Sequence, residues 1–178
     1  MNFKEYKKEI VLSIIILILL LIVILLYCSN KNDSYPKELS NNDKVMIVEK
    51  AFQNYAWGFQ YNGAAIFNDG TIYKWDVEGN KIDYKISDYE RTEDWIFENG
   101  KKINKRVTDS DLKIINENIE NLSGDYEPVN TANDAGSSYI KVLKDGKMVK
   151  IKESGDFTGE NKSSSAQKII QVISKYLK

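Results

Sequence analysis

The chain has 178 residues with 25 basic and 26 acidic side chains, a single cysteine and no histidine. The charge is close to neutral, and nothing in the sequence forms a basic stripe of the kind nucleic acid demands. The lack of imidazole excludes Ser-His-Asp and Cys-His catalysis and the usual exported zinc sites. With one cysteine there is no intrachain disulfide, so the fold is held by packing.

Residues 1–9 carry Lys4, Lys7 and Lys8 beside Glu5 and Glu9 and read as a cytoplasmic tail. From Ile10 to Tyr27 every residue is apolar or aromatic except Ser13, whose hydroxyl can bond back to a carbonyl one turn earlier. A helix here spans roughly 25 Å from Ile10 to Leu26, and Tyr6 and Tyr27 extend it to about 31 Å with an aromatic ring at each interface. This predicts a single transmembrane helix at 10–28, with the N-terminus inside and the bulk of the chain outside. A cleaved signal peptide needs small residues at the cut, where this chain has Leu25, Leu26 and Tyr27. A lipoprotein signal matches at Leu25 and Cys28 but not at Leu26 and Tyr27. Cys28 is then a bystander at the outer interface or the site of an intermolecular disulfide.

Beyond the apolar run, a net charge of about −2 remains. Residues 29–43, polar and with Pro36, read as a juxtamembrane linker, and 44–178 as one extracellular domain. The segment KVMIVEKAFQNYAWGFQYNG has one apolar helical face yet is rich in strand formers, and a strand over 45–60 is expected. On that strand Tyr55, Trp57, Phe59 and Tyr61 share a face. Such a face is either a core layer, as a domain of this size needs, or a platform for sugar or peptide. As a platform it would bind ligand through Tyr55 and Trp57, joined by Trp75.

A hairpin follows in GAAIFNDGTIYKWDVEG, where Asp69-Gly70 supplies the positive φ angles of a tight turn. Ile72 and Lys74 point one way, Tyr73 and Trp75 the other. TEDWIFEN (92–99) is a short helix stopped by Gly100, and KKINKR (101–106) reads as a solvated connection. Thr108–Leu122 is an amphipathic helix with Leu112, Ile115, Ile119 and Leu122 in a stripe, capped by Thr108 or Ser110 and ended by Gly124. A second hairpin turns at Asp145-Gly146, with Ile140 and Val142 on one side and Val149 matched with Ile151. A closing helix follows the Ser163–Ser165 cap region and shows a wide apolar face through Ile169, Ile170, Val172, Ile173, Tyr176 and Leu177. The expected fold class is α+β: an antiparallel β-sheet with helices packed on one face, preceded by the transmembrane helix.

Candidate chemistry is sparse. Asp76 and Glu78 near Trp75, or Asp94 and Glu98 beside Trp95, are carboxylate pairs of the kind that hydrolyse glycosides. NTANDAGSS and SGDFTGEN are oxygen-rich but lack the spaced calcium-loop pattern, so both read as Asx turns. No phosphate-cradling glycine loop is present. The residues thus imply no metal, no cofactor and no enzyme activity.

The run FQNYAWGFQYNGAAIFNDGTIYKWD, with VTDSDLKIINENI, NDAGSSY and a C-terminal helix, resembles small membrane-anchored exported proteins of clostridia-type Gram-positive bacteria with no assigned activity. The resemblance implies no functional residues. Heavy use of Lys, Ile and Asn fits the same setting. The expectation is a plasma-membrane protein contacting the bilayer through 10–28 and displaying a non-catalytic binding module to another envelope protein or wall polymer. The alternatives are self-protection against a secreted toxin, and a carboxylate-dependent cell-wall hydrolase.

Overall fold

The structure, a computed structural model, describes residues 16–20, 22–23, 40, 44–54, 58–78, 93–124 and 126–178. The chain divides into two units, Met1–Ser34 and Tyr35–Lys178. In the first, residues 16–20 and 22–23 are helical (α1). The transmembrane helix expected at 10–28 falls mostly outside the described residues, and among those described no helix is long and apolar enough to cross a membrane.

The second unit is built on an antiparallel sheet of eight strands: β1 (Met46–Asn54), β2 (Gln60–Phe67), β3 (Thr71–Glu78), β4 (Lys101–Arg106), β5 (Val129–Asn130), β6 (Ser137–Lys144), β7 (Lys147–Gly155) and β8 (Phe157–Glu160). Their order across the sheet is β4-β3-β2-β1-β6-β7-β8-β5. Among the described residues three short helices accompany them: α2 (Glu93–Asn99), α3 (Asp109–Glu120) and α4 (Ser164–Ile173).

This overturns the expected layering. Helices lie on both faces of the sheet. On the first face, Val48, Ile66, Ile72, Ile140, Val142 and Ile151 pack against Leu112, Ile115 and Ile119 of α3 and Ile169, Val172 and Ile173 of α4. Each such buried aliphatic side chain contributes roughly 1.5–3 kcal/mol. On the second face, Phe59, Tyr61, Phe67, Tyr73 and Trp75 surround Ile96 of α2, with Trp95 and Phe97 beside it. The aromatic alternation makes this second face too apolar to stand in water. The seven-residue α2 covers it, its Ile96 wholly buried.

The two hairpins turn differently. At Asp145-Gly146 both φ angles are positive, 52° and 73°, the mirror-image turn that matches strand twist. At 68–70 only Gly70 is left-handed (φ 84°). Asp69 instead turns its carboxylate inward, accepting from Thr71 N at 2.9 Å and pairing with the buried Lys44 at 3.7 Å.

Three boundaries also differ. The strand expected over 45–60 ends at Asn54, and β2 begins at Gln60. KKINKR is no connection but the edge strand β4, paired to β3; lysines on a sheet edge discourage pairing with other chains. SGDFTGEN contains β8, and NTANDAGSS begins in β5. Thr108 caps α3 by accepting from Asp111 N (3.3 Å), and Ser163 caps α4 by accepting from Ala166 N (3.2 Å).

Candidate functional site

Each helical layer covers only part of its face, and the uncovered parts are polar. On the first face, α4 ends at Ile173 and the chain turns down so that Leu177 is buried. Its carbonyl accepts from Lys50 Nζ at 2.7 Å. Beyond this point no helix among the described residues lies on the sheet. Lys50 of β1 sits opposite Ala64 of β2, Ala64 opposite Lys74 of β3, and Lys74 opposite Lys101 of β4. One lateral row across four strands thus presents three lysines. The next row reads Ser138, Phe52, Asn62, Asp76. A groove of about 750 Å³ lies over these rows, with Ile103, Leu177 and Lys178 also in its wall. That volume is in the range of small-ligand sites.

On the second face, beyond α2, the carboxylates of Glu49 (β1) and Glu153 (β7) are buried. Tyr61 and Tyr139 hydroxyls both donate to Glu49 Oε1, while Tyr126 (2.6 Å) and Lys150 (2.7 Å) donate to Glu153 Oε2. Burial pushes the Tyr126 phenol up, and the hydrogen bond and charge of Glu153 push it further. A cleft of about 430 Å³ beside this network is walled by Gln53, Asn54, Tyr139, Lys141, Lys150 and Glu153. Each buried carboxylate already has two donors, so the network reads as an internal brace across the strands.

The residues singled out by sequence are scattered. Tyr55 and Trp57 lie outside the described residues. Trp75 is 4 % exposed, with its ring in contact with those of Tyr61 and Trp95; its Nε1 has no acceptor among the described residues. Phe59 and Tyr61, the other half of the alternating aromatic set, are buried beside it. Asp76, Glu78, Asp94 and Glu98 are all exposed. Among them Asp76 lines the groove. Among the described residues no group of three or more His, Cys, Asp or Glu could hold a metal ion.

The lysine row had no signature of its own. Lys50, Lys74 and Lys101 lie 24 and 27 residues apart along the chain, brought into line by register alone. Glu49 did leave a trace: an acid inside MIVEKAF, on the face that Ala51 shares, must find a buried donor.

Comparison with known protein families, curated proteins and solved structures yields no match.

Proposed function

We propose that the chain is a non-catalytic binding module whose ligand seats in the groove over this end of the first sheet face. The single observation that carries this reading is the groove itself: a concave surface of about 750 Å³, floored by strand side chains that no helix among the described residues covers. Half-buried Phe52 and Ile103 offer apolar contact there, and Asn62, Ser138 and the lysines offer polar contact. Of the two carboxylate pairs, Asp76 with Glu78 and Asp94 with Glu98, only Asp76 lines the groove, so neither pair faces a ligand seated there as an acid and base must.

The same reading places the module at a plasma membrane, outer side, held to the bilayer through residues 10–28. Its support is the apolar run from Ile10 to Tyr27 and the basic residues before it. The partner class is an envelope protein or wall polymer.

The test is site-specific photo-crosslinking on intact cells carrying the full chain. A photoreactive residue at Asn62, in the groove, is compared with one at Lys168, on the exposed side of α4. Discrete adducts from position 62 and none from 168 are expected. The same adducts from both positions, or none from 62, would reject the groove as the binding surface.

A further inference from the structure

We infer that the groove recognises phosphoryl groups, and that Lys50, Lys74 and Lys101 are the residues that bind them. This rests on the reading of the groove as the binding surface and names its ligand class.

The argument begins with register. Lys74 and Lys101 are direct cross-strand partners, and Lys50 is two strands from Lys74 in the same row. With strands about 4.8 Å apart, the first pair stands about 5 Å apart at the backbone and the outer lysines roughly 15 Å. Like charges directly opposite one another destabilise a sheet. Six lysines elsewhere face a carboxylate: Lys44 faces Asp69, Lys113 Glu117, Lys150 Glu153, Lys152 and Lys162 Glu160, and Lys175 Asp111. Among the described residues Lys74 and Lys101 make no ion pair or hydrogen bond. Among the described residues the groove gathers Lys50, Lys74 and Lys101 against the side-chain carboxylate of Asp76, in a chain whose net charge is −1. A local positive field in a concave, low-dielectric setting draws anions.

The residue types narrow the anion. Among the described residues no arginine lines the groove, and so none there offers the planar fork that pairs in bidentate fashion with a carboxylate. Lysines act as compact point charges, a common arrangement around tetrahedral phosphoryl oxygens. Asn62 and Ser138 supply neutral donors for the remaining oxygens. The length of the row suits a ligand with two or more phosphoryl groups. Such groups come from a soluble polyphosphorylated molecule or from a lipid headgroup.

The experiment uses the full chain in neutral detergent, titrated calorimetrically with sodium tripolyphosphate. A second arm measures its binding to phosphatidylcholine vesicles with and without cardiolipin. Binding to tripolyphosphate is expected to weaken about tenfold or more in the Lys74→Gln/Lys101→Gln variant, to fall with added salt, and to stay unchanged in Lys147→Gln/Lys168→Gln. Lys178→Gln, at the groove rim, should weaken it several-fold with no structural cost. Binding of tripolyphosphate alone assigns a soluble ligand; dependence on cardiolipin assigns a headgroup. If neither probe binds, or the double variant binds as tightly as the natural chain, phosphoryl recognition is wrong. Adducts at Asn62 would then still uphold the groove as a binding surface, while their absence would remove both readings together.

Discussion

Tyr139 on β6 donates its hydroxyl across the strand boundary to Glu49 Oε1 on β1 at 3.2 Å, the oxygen that Tyr61 on β2 also reaches. One buried carboxylate therefore ties together the three central strands β2-β1-β6. Hydrogen bonds to a buried charge are each worth about 1.5–3 kcal/mol. Tyr61→Phe is expected to destabilise by about that amount in urea unfolding. Tyr139→Phe, whose bond is longer, should cost less. Glu49→Ala removes the acceptor that both buried phenols share and should cost more than either.

High pH should loosen both faces. Tyr126 and Tyr176 are both raised above the ordinary phenol value of 10.0, first by burial and then by the carboxylates of Glu153 and Asp111. A raised pKa means that the folded state favours the neutral phenol. The stability each contributes is therefore whole below pH 10.0, the unfolded value, and is lost as the pH rises above it. Thermal melts from pH 9 to about 11.5 should show a falling midpoint. Tyr126→Phe and Tyr176→Phe should each flatten that fall, at a cost near neutral pH of about 1 kcal/mol for the lost hydrogen bond.

Acid acts through Glu160. Hydrogen bonds from Lys162 and then Gln167 pull its carboxyl down from 4.5 to about 2. A lowered pKa gives stability that is present above pH 4.5 and is lost as the pH falls toward 2. Its cationic partners are open to solvent, 79 % for Lys162 and 41 % for Lys152, so screening limits the effect to less than about 1 kcal/mol. Glu160→Gln should remove part of the acid dependence between pH 4.5 and 2, and 1 M salt should shrink the difference between variant and natural chain.

What was legible in the sequence was local. Caps at Thr108 and Ser163, the helical stripe of α3 and the Asp145-Gly146 turn each depend on residues within a few positions, and each stands where the residue pattern predicts. What was not legible depends on pairing between distant strands. KKINKR has a lysine-rich composition that reads as a solvated link, yet β3 needs a partner at its open edge and takes it. TEDWIFEN is too short to rank as a layer from its length, and only the aromatic load of β2 and β3 on one face explains why Ile96 is wholly buried there. The groove is the extreme case. No single segment carries it, because Lys50, Lys74 and Lys101 fall into one row through three registers at once.

That row also makes a prediction about stability in the absence of ligand. A lysine facing a lysine across β3 and β4 costs about 0.2–1 kcal/mol relative to a neutral pair, and an opposite charge returns a similar amount. Lys101→Glu sets a carboxylate opposite Lys74 at an exposed edge position, where nothing else is disturbed. The variant should melt about 1–4 °C higher than the natural chain in low salt, and the gain should shrink in 0.5 M salt. Lys101→Gln should give about half of it. A site kept for binding is expected to be less stable than its simplest substitute. Calorimetric melts showing Lys101→Glu unchanged or less stable would mean that the opposition of the two lysines is already relieved by solvent, and the physical reason for an anion in the groove would go with it.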